Sequence, residues 1–320
     1  MTPPRTLRNV PASVRQRLLN YARDRRIGFQ AVLDRFVAER FLYRLSASGE
    51  VERFVLKGAA LFRIWDGEEA RPTRDIDFLD IWSEGRTPIR DALETICQAP
   101  CPEDGVVFDP ATIRLADIRG VQADGAVRAR VMGHLDRIRL PLQIDIGVGD
   151  LITPEPEERE YPTLLDLPAP RLWTYPRETV VAEKLHAMVE HDTANTRVKD
   201  LWDVASLARR FPFDGEVLRT AITETFRRRG VSLAGESVVA LLPAYYEDPV
   251  RRRLWEDFRR EIREHADGPS RLVDAGNELR EFLGPVCDSL IEDRPFTQAW
   301  PAGGPWRPGV QARMGVGDDD

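Results

Sequence analysis

The stretch FVLKGAALFRIWDGEEARPTRDIDFL, residues 54 to 79, constrains the fold of this 320-residue chain more than any other. Val51 to Leu56 has the length and composition of a buried strand, and the stretch after it breaks at Lys57-Gly58. Gly58-Ala59-Ala60 then opens a helical segment reaching about Trp65, and a second strand-like segment carries Asp75 and Asp77. Residues two apart on a strand point to the same side. The two carboxylates therefore project together, while Ile76 and Phe78 face apolar packing. Side-by-side acids repel unless a cation or a proton lies between them. A divalent metal suits the pair, because Mg²⁺ prefers carboxylate and phosphate oxygens; a solvated strand end is the plainer alternative. Gly58 sits where helix N–H groups are unpaired and where a phosphate can approach the backbone closely, with Lys57 adding positive charge.

The flanking segments suggest how this unit is framed. Two amphipathic helices are expected from about Ser13 to Arg26 (Val14, Leu18, Tyr21) and from about Phe29 to Ser46 (Val32, Phe36, Phe41, Leu45), broken at Ile27-Gly28. Pro88 to Gln98 reads as a helix, followed by strands at Val106–Asp109, Thr112–Arg119, Val127–Met132 and Arg139–Val148. The last strand alternates: Leu142, Ile144, Ile146 and Val148 face one way, Gln143, Asp145 and Gly147 the other. An acid in mid-strand is expensive to bury unpaired, so Asp145 either meets a basic partner, such as an arginine, or is a third metal-facing carboxylate. Residues 149–176, rich in proline and acid, read as a long connection.

Helices follow. Arg177 to Glu190 carries the stripe Val181, Leu185 and Met188, with Lys184 on or beside its inward face. An inward lysine needs a partner, either a buried acid or a nucleotide phosphate. Arg197 to Phe211 places Lys199, Asp200 and Asp203 on one turn, where taken alone they read as a surface ion-pair cluster. Further helices are expected at Gly215–Arg229, around Val238–Leu242, at Pro249–His265 and at Leu272–Ile291. Residues 293–320, with Pro, Gly and a terminal Asp run, have little to bury and read as a disordered tail. The domain reading is an N-terminal helical segment 1–50, an α/β core 51–170, a C-terminal helical domain 171–292 and the tail 293–320.

Composition excludes several classes. A net charge of −7 does not fit a globally basic nucleic-acid binder. Residues 1–42 nevertheless hold nine arginines against Asp24, Asp34 and Glu39, a local +6 that leaves −13 on the remainder. Such a basic arm, and the triplets Arg227–Arg229 and Arg251–Arg253, can meet a phosphate backbone or serve as solvated helix faces. Three cysteines and four histidines show no zinc spacing. No signal sequence or apolar run of membrane-spanning length occurs, so a cytoplasmic protein with free thiols and no membrane contact is expected. Of 46 basic residues only Lys57, Lys184 and Lys199 are lysines. Lysine offers a compact ammonium where arginine offers a planar fork. A chain that otherwise writes arginine marks these three positions as candidate sites.

Taken together, LKGAALFRIW…TRDIDF, ETVVAEKLHAM and VKDLWDVASL resemble the AbiEii/AbiGii toxin family of nucleotidyltransferases, over roughly residues 50–210. The resemblance implies an α+β fold: a polymerase-β-like mixed-sheet core with N-terminal helices and a C-terminal helical domain. Gly58 and Ala59 would be the phosphate turn, although the family often has Gly or Ser where Ala59 stands. Asp75 and Asp77 would bind Mg²⁺ or Mn²⁺, Asp145 would be the third carboxylate and Lys184 the essential lysine. Asp200 would be the acid of the family's R/K-D-x-x-D motif, with Lys199 and Asp203 beside it. The implied activity is transfer of a nucleoside monophosphate from an NTP to an acceptor hydroxyl, an RNA such as a tRNA 3′ end, with a cognate antitoxin protein as partner and phage defence as the setting. A D-x-D glycosyltransferase, a small-molecule acceptor such as an aminoglycoside, a protein acceptor and a non-catalytic binding module are the alternatives.

Overall fold

The computed structural model describes residues 9–309 except 68–69, 83–87, 119–125, 192–196, 232, 234–237 and 263–267. The chain divides into two compact units, Met1–Asp150 with Glu155–Tyr175, and Leu151–Pro154 with Pro176–Asp320.

The first unit begins with helices α1 (Val10–Asp24) and α2 (Phe29–Ala47). Strand β1 (Phe54–Lys57) leads through a 3₁₀ turn, Gly58–Ala60, into the short helix α3 (Leu61–Asp66), and β2 (Asp75–Asp80) and α4 (Ile89–Gln98) follow. Then come β3 (Val106–Asp117), β4 (Val127–Leu135), β5 (Ile138–Val148), β6 (Glu157–Glu160) and β7 (Arg171–Thr174). All seven strands form one mixed sheet in the order β3-β4-β5-β2-β1-β7-β6. The pairs β2–β5 and β1–β7 are parallel and the rest antiparallel.

Period-two alternation divides the faces of this sheet. Ile76, Phe78, Ala129, Val131, Leu142, Ile144 and Ile146 are buried. Helix α2 packs on the sheet through Val37, beside Gly133, and Phe41, edge-on to Phe108. At Gly133 an added Cβ would lie 3.1 Å from a Val37 methyl, so a larger residue there would have to push the helix side chain back by a few tenths of an ångström. Asp75, Asp77, Gln143 and Asp145 take the other face and stay partly accessible.

Three expectations need correction here. Arg40, one of the N-terminal arginines, is neither solvated nor on a surface: it is buried beside Glu39 at 2.9 Å and donates to the Pro168 carbonyl. The segment 149–176 is more than a connection. Its β7 pairs with β1 and its β6 with β7, because an edge needs backbone groups and tolerates a polar sequence. The strands expected at Val106–Asp109 and Thr112–Arg119 are one strand, β3, with a register shift between Asp109 and Arg114.

The second unit contains α5 (Arg177–His191), α6 (Val198–Arg210), β8 (Phe213–Asp214) and α7 (Gly215–Arg229). After a 3₁₀ turn come α8 (Pro243–Glu247), α9 (Pro249–Glu261), α10 (Leu272–Ile291), β9 (Gln298–Trp300) and β10 (Arg307–Pro308). Asp214 caps α7 by accepting from the Glu216 and Val217 amides, and Gly230 ends it at φ 65°. The expected tail is ordered up to residue 309. Strand β9 pairs with β8 and β10, and Trp300 and Phe296 are buried. Trp306 stacks on Phe282 at 5.8 Å, and its indole N–H donates to the Phe282 carbonyl at 2.8 Å. Three aromatic side chains supply the burial that the Pro/Gly composition hid. The remainder of that segment, 310–320, lies outside the described residues, as do the last positions of the helix expected to His265. Among the described residues no helix is long and apolar enough to cross a membrane.

Candidate active site

The register of β1, β2 and β5 places Lys57, Asp77 and Asp145 side by side in one row across three strands, with Asp75 two residues before Asp77 on the same face. Gly58 closes against this row. Its φ is +69°, and a Cβ there would lie 2.1 Å from Asp77 Oδ2, so any side chain would collide with the carboxylate. The helix after it is α3, with six residues, too short to develop much of a dipole. What recommends the turn is therefore its close backbone approach to Asp77 and not a helix field. Ala59 lies inside the 3₁₀ turn.

Electrostatics distinguish the three acids. Burial raises the Asp75 carboxyl above its ordinary range, and the neighbouring Asp145 charge adds to it, against Arg128, Arg74 and Arg130. Asp145 has a partner that the sequence left open. Arg128 on β4 donates to Asp145 Oδ1 at 2.8 Å and to Oδ2 at 2.6 Å, a bidentate pair. That bond, with the charges of Asp145, Asp75 and Asp77, holds the guanidinium more firmly protonated against partial desolvation. Lys57 reaches Asp150 at 3.2 Å and lies over the Tyr175 ring at 5.2 Å.

Asp75 and Asp77 offer the hard oxygen donors that a divalent cation takes, and the raised Asp75 shows a carboxylate under pressure to be neutralised. Among the described residues, no three His, Cys, Asp or Glu side chains are disposed together as a metal-holding group. Both Asp145 oxygens are engaged by Arg128. The donor set fits a cation on two carboxylates, and the third joins only by releasing the arginine.

A second cluster lies wholly in the other unit. Lys184 on α5 donates to Asp200 Oδ1 and to Asp203 Oδ2, each at 2.7 Å, and Arg197 lies 2.7 Å from Asp200 Oδ2. Asp200 and Asp203 are 3% and 0% exposed, which corrects the reading of a surface cluster. Lys184 makes the contact that i,i+4 spacing offered to Lys199. Lys199 instead turns to Glu261 at 3.5 Å and to the Phe258 ring, so it does not join the group. The arginine triplets are partly internal: Arg229 donates to Glu183 and Arg251 lies over Tyr245 at 4.1 Å.

Sequence reasoning missed Arg128 and Asp150. For Arg128 a signal existed. The connection Asp136-Arg137, with Asp136 at φ +55°, fixes Leu135 opposite Ile138. Counting outward from that turn puts Arg128 opposite Asp145.

Residues 40–279 match the family described as nucleotidyl transferase AbiEii toxin, type IV toxin–antitoxin system. Among solved structures, JHP933 from Helicobacter pylori is 14% identical at a TM-score of 0.42, covering 83% of this chain and 94% of that one. A second H. pylori structure, described as a candidate nucleotidyltransferase, gives the same identity and TM-score and is covered over 97% of its length. No curated protein matches. With three quarters of its length inside the match, this chain belongs to the AbiEii family of nucleotidyl transferase toxins.

Proposed function

We propose that the chain transfers a nucleoside monophosphate from an NTP to a hydroxyl of RNA, a tRNA 3′ end being the favoured acceptor, with Mg²⁺ or Mn²⁺ as cofactor. An antitoxin protein restrains it in a toxin–antitoxin or phage-defence setting. The observation that carries the reading is the in-register Asp77–Asp145 pair, with Asp75 on the same face and the Gly58 turn against Asp77. The acceptor oxygen attacks the α-phosphorus, the bond to the bridging oxygen of the β-phosphate breaks, and pyrophosphate leaves. Asp75 and Asp77 would hold the cation, which supplies charge neutralisation for the triphosphate when bound. Gly58 and Ala59 present backbone to the phosphates, and Lys57 adds a positive charge at the end of the same row. Asp145 takes the hydroxyl proton once Arg128 has released it. Lys184 and Asp200, with Asp203 beside them, are assigned to the family's second motif pair; Lys199, turned to Glu261, is the weakest of the assignments.

Incubation with each α-³²P-labelled NTP, Mg²⁺ and total cellular RNA, resolved on a gel, tests this. The wild type should label a tRNA-sized band, and Asp75→Ala and Asp77→Ala should lose labelling by at least ~10³-fold with unchanged circular dichroism. Wild-type labelling by either variant would overturn the assignment.

A further inference from the structure

The face of the sheet that bears the acids continues beyond them. Strand register sets Arg114, Arg130, Gln143 and Asp75 in one row across β3, β4, β5 and β2. The adjacent row reads Ala116, Arg128, Asp145 and Asp77. Three arginines thus occupy the two strands next to the acids. Arg114 and Arg130 are directly opposite each other, and like charges in that relation destabilise a sheet. Both are exposed, and among the described residues neither has a carboxylate partner. Among the described residues Arg114 donates to the carbonyls of Ala111 and Ile113, and Arg130 to the Gln143 side chain at 3.4 Å.

Two hollows meet at Arg130. One, of about 390 Å³, is bordered by Arg114, Arg128 and Arg130. The other, of about 370 Å³, is bordered by Arg130, Gln143, Arg74 and Asp75. The path from one to the other runs from the sheet edge to the candidate cation-binding carboxylates.

We propose that Arg114, Arg130 and Arg128 form a track for the sugar–phosphate backbone of the RNA acceptor, delivering its terminal hydroxyl to the carboxylates. This rests on the reading given under Proposed function. Strand order says why the track serves the acceptor and not the NTP. Lys57 and the Gly58 turn flank the acids on the β1 side, and the arginines flank them on the β4 side. In-line displacement at phosphorus needs the attacking and leaving oxygens on opposite sides. With the triphosphate on the Lys57–Gly58 side, the attacking hydroxyl arrives along the arginines. The track has the chemistry that phosphates require, forked donors: Arg114 and Arg130 have no ion-pair partner among the described residues, and Arg128 is held by Asp145 until that carboxylate is needed.

Fluorescence anisotropy of a 5′-fluorescein 12-nucleotide single-stranded RNA against the full chain, without NTP or metal, tests the track. Arg114→Gln and Arg130→Gln should each weaken RNA binding roughly tenfold and reduce the salt slope by about 0.7, the share of one phosphate contact. Arg114→Lys and Arg130→Lys should retain most of the affinity, and both positions are exposed, so folding is not at stake. Binding of a fluorescent ATP analogue with Mg²⁺ should stay unchanged in the Gln variants. RNA affinity equal to wild type in both Gln variants overturns the track, and continued labelling of RNA from NTP would show that the transferase reading survives it. A loss of ATP-analogue binding with RNA binding intact would also overturn it, by assigning the arginines to the triphosphate. If the wild type neither binds nor labels RNA, the RNA acceptor and its track both fall.

Discussion

Asp75 carries its charge at a cost to the fold. Its carboxyl is raised above the ordinary value by burial and by Asp145, so the folded state favours the protonated form. For a carboxyl shifted upward, the stabilising contribution is present at low pH and is lost as pH rises through the folded value. Where the folded carboxyl is ionised that contribution is gone, and Asp75→Asn, which imitates the neutral acid, should raise Tm by about 2 °C while abolishing transfer. A thermal melt showing the variant less stable than wild type at pH 7 would remove electrostatic strain from the account of this site. The pair Asp75 and Asp77 was legible in the sequence because period-two alternation is a local property of one strand. The Arg128 partner of Asp145 is not a property of one strand: it depends on how two strands register, and it is reached only by counting outward from the turn at Asp136-Arg137. Lys184 was legible as an inward cation, but its choice of Asp200 and Asp203 required the packing of α5 against α6.

At the scale of elements, α2 shows how an apolar stripe can conceal a titrating group. Glu39 is wholly buried on this helix, where it accepts from the Leu164 amide at 2.7 Å and lies 2.9 Å from Arg40. Burial outweighs both contacts and pushes its carboxyl from 4.5 up to about 7. The folded chain therefore holds a proton there that the unfolded chain gives up above about 4.5. The contribution to stability is complete below that pH and lost as pH climbs through about 7, on the order of 3 kcal/mol in all. Glu39→Gln should flatten the decline of Tm between pH 5 and 7 and leave the variant more stable than wild type at pH 8. Parallel Tm-against-pH curves for the two proteins would count against this. The strands that sequence patterning missed, β6, β7, β8, β9 and β10, share a physical cause. Each has two to four residues and lies at or near a sheet edge or in a small ribbon, where backbone pairing decides the structure and side-chain alternation has little room to register. The longer strands β4 and β5 and helices α2, α7 and α10 were readable because a buried face repeats along them.

At the scale of the whole molecule, a net charge of −7 repels a polyanion, so any RNA affinity must come from a local concentration of cations. Two sources compete. One is the track of Arg114, Arg128 and Arg130; the other is the N-terminal region, whose Arg17, Arg23 and Arg26 are exposed on or just after α1. The number of counter-ions released on binding separates them, since log K falls against log salt by about 0.7 per phosphate neutralised on a single strand. Three arginines predict a slope near −2, a loss of roughly 20-fold between 50 and 200 mM salt. Participation of the N-terminal arginines would steepen it to about −4 or beyond. Arg17→Gln with Arg23→Gln should leave the slope near −2, while Arg114→Gln with Arg130→Gln should bring it to about −0.7. The reverse pattern would place RNA contact on α1 and leave the sheet face to some other ligand. Because an acidic chain gains nothing from long-range attraction, the slope reports the contact surface itself, and the acceptor path can be located by titration with salt alone.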